Sequence, residues 1–400
     1  MKSDKTTPNV PTLRFAEFTD EWEKYELSHF VTRITRRNKN NKSSLPLTIS
    51  AQYGLVDQIS FFNKTVASVD LSGYYLLYNG DFAYNKSYSN DYAWGAVKRL
   101  DKYEKGCLSS LYFVFRPNDN VDSDYLTHYF ESSKWHKGIS NIAGEGARNH
   151  GLLNMSVDDY FATKHCLPSL PEQKKIARFF NAITRRIEIQ NKIIEDLKIL
   201  KKELCNDHFK SVLHDASLRY ITLKEILTER KEYCSKDGTY THGTLSKEGV
   251  APKTERYDRD FLVKNKDKQY KVTHLNDICY NPANLKFGVI CRNTYGDLIF
   301  SPIYVTFEIS DNVYPAYIEL FLTNPNFIGR IRRYEQGTVY ERMAVSPEDF
   351  LSYETHIPAY EEQVEFANEM QRIQRKIELE TAFLSSLQNQ RRFFLNAMFI

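Results

Sequence analysis

The stretch LPSLPEQKKIARFFNAI (167–183) decides the fold, because it occurs a second time as IPAYEEQVEFANEMQRI (357–373). When the chain is shifted by 190 residues, residues 167–209 align without a gap on residues 357–399, with 11 identical positions. Average residue usage would give about three identities by chance over such a stretch. The chain therefore contains an internal duplication.

The repeat extends upstream of this stretch. GDFAYNKSY (80–88) corresponds to NDICYNPAN (276–284), and LSSLYFVFRP (108–117) corresponds to FSPIYVTFEI (300–309). Such runs, rich in Tyr, Phe and Val and bounded by Pro, Asn or Asp, predict short β-strands. Each copy is thus predicted to be a small α+β domain with long loops, here called a head, followed by a long helix.

Both predicted helices carry apolar residues at alternating spacings of three and four, which is typical of a coiled-coil seam of about five heptads. An ordinary amphipathic helix on a domain surface is the alternative. At the start of the first helix, Ser169 and Glu172 predict a capping box.

A duplicated unit folded about a two-fold axis must run its two long helices antiparallel. The polar seam positions then predict a register that sets Lys201 against Glu380 and Gln190 against Arg391. The same register predicts the apolar layers Ile187 on Phe394, Ile194 on Leu387, Leu197 on Leu384, and Leu204 on Ile377.

If the two units close into a ring, the position of the chain ends can also be predicted. Residues 10–20 should then take the place that the residues after 205 take in the other half. Leu13, Phe15 and Phe18 are expected to pack near Phe394 and Phe399.

Composition excludes several classes of protein. The 400 residues carry a formal net charge of +3, so any basic binding surface must be local. No apolar run approaches the roughly 20 residues of a membrane span, and the first residues lack the apolar core of a signal peptide. The six cysteines form no C-x-x-C pair, which favours free thiols in a cytoplasmic protein over zinc or disulfides.

No catalytic motif is convincing. NPAN (281–284) lacks the second Pro and the aromatic residue of the N-P-P-aromatic motif of amino-methyltransferases, and its counterpart Asn85–Tyr88 makes it part of the repeat. The chain has no G-x-x-x-x-G-K-[ST] phosphate loop. Glu229–Lys231 has the E-x-K form of some nucleases, but such charged tripeptides are common. These observations favour a binding protein without an active site or a metal site.

Basic loops recur at matched places in the two heads, mixed with amides, hydroxyls and glycines. Such mixtures suit phosphate contacts together with hydrogen bonds to base edges. The predicted DNA-contacting residues are Arg36, Arg37, Lys39, Lys86, Tyr88, Arg148 and Asn149 in the first head, and Arg230, Lys286, Arg333, Tyr340 and Arg342 in the second.

The sequence resembles the specificity subunits of type I restriction-modification systems over essentially its whole length. The resemblance lies in the segment LRFAEFTDEWEKYEL (13–27) and in the two helix starts LPSLPEQKKIA (167–177) and IPAYEEQVEFA (357–367). It also includes short motifs of the first head such as GDFAYNKSY. At the second helix start, Val364, Glu365 and Phe366 depart from the first copy.

The resemblance implies an α+β protein with two target-recognition domains separated by two long antiparallel helices, related by a pseudo-two-fold internal repeat. The implied segments are 1–18 at the N-terminus, 19–168 and 215–358 as target-recognition domains, and 169–214 and 359–400 as long helices.

The resemblance also implies function. Each domain would read one half of a bipartite DNA site in phage defence, and the helices would dock two methyltransferase subunits, which recruit endonuclease/translocase subunits. S-adenosylmethionine, ATP and Mg would then belong to these partners and not to this chain. Two alternatives are a coiled-coil scaffold whose heads bind protein and a free-standing DNA methyltransferase.

Overall fold

The structure is a computed structural model that describes residues 9–64, 66–88, 92–143, 151–235, 239–247, 249–253, 269–336 and 343–400. Helices and strands are mixed along the chain, as the sequence predicts. Within these ranges, every helix is too short or too polar to cross a membrane.

The chain divides into two compact units. The first unit comprises residues 1–191 and 382–400, and the second comprises residues 192–381. Each unit therefore contains one head, part of the first long helix and part of the second.

The first unit has short strands and helices followed by the beginning of a long helix. Their bounds are β1 Glu23–Glu26, α1 Leu27–Phe30, β2 Val31–Arg33, β3 Pro46–Ser50, β4 Gly54–Asp57, α2 Gln58–Phe62, β5 Tyr75–Tyr78, β6 Phe82–Asn85, β7 Ala96–Arg99, β8 Lys105–Leu108, β9 Phe113–Pro117, α3 Ser123–Tyr129, α4 His136–Ile142, α5 Val157–Phe161, β10 Lys164–Leu167 and α6 Leu170–His214.

These strands form two sheets of four strands and one antiparallel pair. One sheet has the order β2-β9-β6-β7 and is antiparallel throughout. The other has the order β4-β3-β8-β5, in which β3 and β8 are parallel. The pair β1-β10 places Glu23 opposite Leu167, immediately before α6.

The second unit repeats this order of elements. Their bounds are β11 Arg219–Thr222, β12 Leu227–Glu229, β13 Tyr233–Cys234, β14 Thr241–Ser246, β15 Gly249–Pro252, β16 Tyr270–Thr273, β17 Ile278–Tyr280, β18 Ile290–Arg292, β19 Leu298–Phe300, β20 Val305–Ile309, α7 Pro315–Leu322, α8 Pro325–Ile331, α9 Pro347–Leu351, β21 Glu354–Ile357 and α10 Tyr360–Ala397.

The sheets of the second unit have the same connections. The order β12-β20-β17-β18 corresponds to β2-β9-β6-β7, and the pair β11-β21 corresponds to β1-β10. The other sheet, β13-β16-β19-β14-β15, again contains one parallel neighbour, β14 with β19. The strand pairings therefore confirm the duplication that the sequence predicts.

Aromatic side chains form the core at the same place in both heads. In the first unit Tyr84 stacks on Tyr160, with ring centroids 4.7 Å apart, and in the second Tyr280 stacks on Phe350 at 4.9 Å. All four side chains are almost fully buried. Each pair ties the central strand of a sheet, β6 or β17, to the short helix that precedes the long helix.

Buried histidines stay neutral in these cores. Burial lowers the pKa of His165 to about 4. The Thr163 hydroxyl donates to the Tyr160 carbonyl at 2.7 Å, so it accepts from His165 Nε2 at 2.8 Å. The Tyr129 hydroxyl then donates to His165 Nδ1 at 2.8 Å. The imidazole is thus held in one tautomer beside β1.

The long helices run antiparallel within each unit. In the second unit, the His208 ring stacks on Phe366 at 3.6 Å and Lys201 Nζ donates to Gln374 Oε1 at 2.9 Å. In the first, the rings of Phe179 and Phe394 lie 5.0 Å apart. The predicted seam positions are all buried or half-buried.

The predicted register is wrong by about one heptad. Lys201 faces Gln374 and not Glu380, which pairs with Lys376 on its own helix at 2.5 Å. Phe394 contacts Phe179 and not Ile187, eight residues further along α6. A seam that repeats every seven residues keeps its apolar layers when it slides by one heptad. The aromatic contacts at the helix ends therefore fix the register, and the lone polar layers do not.

The pairing of the remaining predicted residues stays a prediction, and their burial is compatible with it. Ile194, Ile377 and Leu387 are buried, and the others are half-buried, namely Ile187, Leu197, Leu204, Leu384 and Arg391.

The prediction for the first residues is confirmed for Leu13 and Phe15. The Leu13 amide donates to the Ala397 carbonyl at 2.9 Å, and the Thr12 hydroxyl donates to the same oxygen at 3.1 Å. The Phe15 ring lies 6.0 Å from that of Phe179 and packs against the same apolar cluster as Phe394 and Phe399. The N-terminal segment thus lies beside the end of α10 within the first unit.

One glutamine at each helix start joins the head to the helix. Gln173 Oε1 accepts from the Asp122 amide at 2.8 Å, while its Nε2 donates to the Pro168 carbonyl at 2.9 Å. Gln363 makes the equivalent bonds to Tyr314 and Pro358, each 2.9 Å long. Both side chains are 2% exposed. The repeated motif therefore has a structural role in both units.

Candidate nucleic-acid interface

Two predicted arginines occupy matched positions and are held by matched aspartates. Arg36 donates to the buried Asp81 and, through Nε, to the Leu76 carbonyl at 2.7 Å. Arg230 forms a bidentate pair with the buried Asp277, with distances of 2.8 and 3.0 Å. These ion pairs give both arginines an observed structural role, and their contact with DNA stays a prediction.

Asp81 belongs to the repeat in the same way as Asp277. Each aspartate precedes the central strand of its sheet by one residue, and the backbone amides of Tyr78 and His274, respectively, donate to it at 2.7 and 2.8 Å. In the first head Arg116 adds a second guanidinium at 2.6 Å. Because a buried carboxylate needs such partners, these arginines are required by the fold.

A rigid loop presents the lysines of the first head. Asn38 is fully buried, and its amide group donates to the Ser43 carbonyl at 2.9 Å while its Oδ1 accepts from the Ser43 amide at 3.0 Å. Between them, the 3₁₀-helix Lys39–Asn41 contains the left-handed residue Asn40, with φ of 61°. Lys39 is exposed on this closed loop. Because these hydrogen bonds already hold the loop in one conformation, Lys39 can bind a phosphate with little loss of conformational entropy.

Arg37 lies at the edge of the same region. Its Nη1 donates to the Gly73 carbonyl at 2.7 Å, and its guanidinium lies 4.3 Å from the centroid of the Tyr75 ring. The side chain remains exposed.

The ends of the central strands carry the same turn in both heads. Asn85 Oδ1 accepts from the Ser87 amide at 2.9 Å, and Asn281 Oδ1 accepts from the Ala283 amide at 3.1 Å. These Asx turns place Lys86 directly after β6. The assignment of NPAN to the repeat is thereby confirmed.

Lys86 and Tyr88 lie in a supported loop. The ammonium of Lys86 is 5.1 Å from the Phe113 ring centroid, and the Tyr88 amide donates to the Gly151 carbonyl at 3.1 Å. Gly95 approaches this turn so closely that a Cβ there would lie 2.1 Å from the Asn85 carbonyl oxygen. A glycine is therefore needed at position 95.

In the second head, Lys286 lies in the 3₁₀-helix Leu285–Phe287 that follows β17. Its ammonium is 5.3 Å from the ring centroid of Phe287, which is 57% exposed. A cation beside an exposed ring suits contact with a phosphate and a sugar or base face. Arg333 is exposed too, and its Nε donates to the Arg330 carbonyl at 3.0 Å.

Four of the predicted contact residues lie outside the described residues. They are Arg148, Asn149, Tyr340 and Arg342. Sequence reasoning also missed three basic side chains that the structure brings together, Lys210, His214 and Arg330. Lys210 and His214 lie one turn apart on α6, whereas Arg330 is distant from them in the chain.

Burial raises the pKa of the Cys279 thiol well above its usual value, so this thiol is a poor nucleophile. Among the described residues, no group of three or more His, Cys, Asp or Glu side chains is placed to hold a metal ion.

One family model matches part of the chain. Residues 20–199 match the family model described as "Type I restriction modification DNA specificity domain". A search of curated protein sequences gives no match.

Three solved structures share the fold over nearly the whole chain. The HsdS subunit from Thermoanaerobacter tengcongensis is 16% identical, with a TM-score of 0.50, over 94% of this chain and 96% of that one. The S subunit of the type I system from M. genitalium is 14% identical, with a TM-score of 0.51, over 98% and 99%. A chain from a study of complex assembly and conformational transition of the type I R-M system is 15% identical, with a TM-score of 0.56, over 95% and 98%.

Proposed function

We propose that this chain is a specificity subunit of a type I restriction-modification system, a non-catalytic DNA-recognition component, and that it reads a bipartite, asymmetric DNA site. Each head would read one half of the site from the loops that follow its central strand. The long helices would dock two methyltransferase subunits, which recruit the endonuclease/translocase subunits. S-adenosylmethionine, ATP and Mg would belong to these partners.

The observation that carries the proposal is a shared framework with different loops. Asn85 and Asn281 make the same turn after equivalent strands, but Lys86 follows the first and Pro282 follows the second. Equivalent frames present their loops to DNA in equivalent ways, as the halves of a symmetric dimer do. Different side chains on those frames would read different bases, so the target need not be a palindrome.

Exposed apolar pairs on the long helices support two docking sites. Ile189 and Ile193 on α6 are 52% and 38% exposed, and Leu379 and Phe383 on α10 are 61% and 40% exposed. The two pairs are related by the repeat distance of 190 residues, and each has the i, i+4 spacing that puts both side chains on one helix face. Exposed apolar surface of this kind marks a protein interface, and its duplication fits two copies of one partner.

DNA reading is tested by mapping methylation with the partner methyltransferase added. We expect Lys86→Ala to weaken recognition of one half-site and Lys286→Ala to weaken the other, by up to about 1–3 kcal/mol for a base contact. Single-molecule methylation mapping on DNA with each half-site altered separates these effects, and the chain alone should transfer no methyl group. An equal loss at both half-sites from either variant would contradict the assignment of one head to one half-site.

Docking is tested by charging one apolar face at a time. Ile193→Asp and Phe383→Asp should each reduce the methyltransferase subunits bound per chain from two to one, because burying an unpaired carboxylate costs about 2 kcal/mol or more, roughly 30-fold in Kd. Lys198→Asp and Gln388→Asp are matched controls, since each lies five residues further along the same helix and is exposed. Native mass spectrometry counts the subunits. Full occupancy in both Asp variants would exclude these faces as docking sites.

A further inference from the structure

A cleft in the second unit has no role in the function proposed above. It lies between the C-terminal turns of α6 and the helix pair α7–α8. Its lining includes Phe209, Lys210, His214, Phe327, Arg330 and Tyr353. None of the described residues that line it is acidic. We call it the cationic cleft.

The floor of the cationic cleft is rigid and aromatic. Phe209, Phe327 and Tyr353 are 7%, 2% and 4% exposed, and the rings of Phe327 and Tyr353 lie 5.0 Å apart. Asn206 Oδ1 fixes the wall by accepting from the amides of Asn324 at 3.1 Å and Asn326 at 3.3 Å. The cleft is therefore preformed by the packing of the core.

The rim carries cations without acidic partners. In the described part of the chain, neither Lys210 nor Arg330 forms a salt bridge. Buried Lys271 of the same unit, in contrast, is paired with Glu229 at 3.0 Å. His214 Nδ1 donates to the Lys210 carbonyl at 2.7 Å, which holds its ring at the rim. Unpaired cations that converge on one cleft attract an anion.

The fold itself does not require these cations. The repeat distance places Ile400 at the position equivalent to Lys210, and Phe399 at that of Phe209. The offset of 192 that aligns α7 with α3 places Gly138 at the position equivalent to Arg330, and the offset of 189 that aligns α8 with α4 places Asn141 there. Phe209 of the floor thus has an aromatic counterpart, whereas Lys210 and Arg330 have no cationic one.

From this difference we infer that the cationic cleft binds a phosphate group. Arg and Lys are the side chains that bind phosphate through charge-assisted hydrogen bonds, and no carboxylate lines the cleft to compete for them. The phosphate can come from the backbone of DNA or from a free phosphate or nucleotide. The DNA source rests on the proposed function, and the free source is independent of it.

The test removes the charges and keeps the side-chain stems. Lys210→Met and Arg330→Met, singly and together, are compared with Lys202→Met, an exposed lysine on the same helix that does not line the cleft. In the first arm, duplex DNA that contains the methylated site is titrated with the full chain over a range of salt concentrations. In the second arm, inorganic phosphate and AMP are titrated by calorimetry. Thermal unfolding of each variant checks that it folds.

If the phosphate comes from DNA, each single variant is expected to lower the slope of the logarithm of the DNA-binding constant against the logarithm of salt concentration by about 1. The control Lys202→Met is expected to keep the wild-type slope. If the ligand is a free phosphate or nucleotide, inorganic phosphate or AMP is expected to bind the wild-type chain. The double variant is then expected to bind the same ligand at least tenfold more weakly. The proposal is overturned when the double variant matches the wild type in both arms, even if both bind DNA tightly. A chain that binds phosphate in the cleft but no DNA would keep this inference and refute the proposed function.

Discussion

Replacing Glu172 by alanine is expected to lower the free energy of unfolding of the first unit by about 3–5 kcal/mol, the cost of breaking a buried ion pair from one side. Arg14 donates to the two carboxylate oxygens through Nε and Nη2, each at 2.7 Å, and Trp22 Nε1 donates at 3.4 Å. Glu172 is 1% exposed. Its loss leaves the half-buried Arg14 guanidinium without its carboxylate and releases the N-terminal segment.

The duplication supplies the control. Glu362 occupies the equivalent position on α10 and is exposed, so Glu362→Ala should change the stability by no more than about 0.5 kcal/mol. Denaturant unfolding is followed by tryptophan fluorescence for the first unit, where Trp22, Trp94 and Trp135 lie, and by circular dichroism for both units, because Glu362 lies in the second. If Glu172→Ala and Glu362→Ala lowered the free energy of unfolding equally, the ion pair with Arg14 would contribute no stability.

Glu172 also shows the limit of local sequence patterns. The spacing from Ser169 predicts a capping box, but the carboxylate binds Arg14, 158 residues away in the chain. A helix cap is formed by residues close in the sequence, so a short stretch of sequence can predict it. A partner such as Arg14, which is far away in the sequence, cannot be predicted from that stretch. The prediction for the chain ends named the apolar residues Leu13, Phe15 and Phe18, and it did not include the ion pair between Arg14 and Glu172.

The strands and long helices could be predicted because their signals are local and occur twice. The strands in the two runs around Tyr84 and Tyr280, and both helix starts, lie where the patterns place them. The helix register could not be predicted in the same way, because a heptad pattern fits several registers equally well. His208 on Phe366 fixes it through an aromatic contact that has no periodic signature.

The candidate site was predicted least completely. Arg36 and Arg230 were selected as basic loop residues, and the structure pairs each with an aspartate more than 40 residues away. Lys210, in contrast, belongs to no basic run, and it lines one cleft with Arg330 only through the packing of α6 against α8. Charge in a sequence window does not distinguish a cation that has a carboxylate partner from one that has none.

Replacing Gln173 or Gln363 by methionine is expected to cost about 2–5 kcal/mol in the unit concerned. Methionine keeps the approximate shape, but a buried amide N–H and a buried carbonyl then lose their partners, at about 1–3 kcal/mol each. The stranded groups are the Asp122 amide with the Pro168 carbonyl, or the Tyr314 amide with the Pro358 carbonyl.

Amide hydrogen exchange distinguishes the effect of Gln173→Met on the first unit from the effect of Gln363→Met on the second. The Asp122 amide should lose protection only in Gln173→Met, and the Tyr314 amide only in Gln363→Met. Lys174→Met, an exposed neighbour, should alter neither amide. Because the two glutamines lie in separate units, the double variant should show the sum of the single losses. A loss below about 1 kcal/mol in both single variants would mean that the repeated glutamine is not what holds each head to its helix, and that the duplicated motif is retained for another contact.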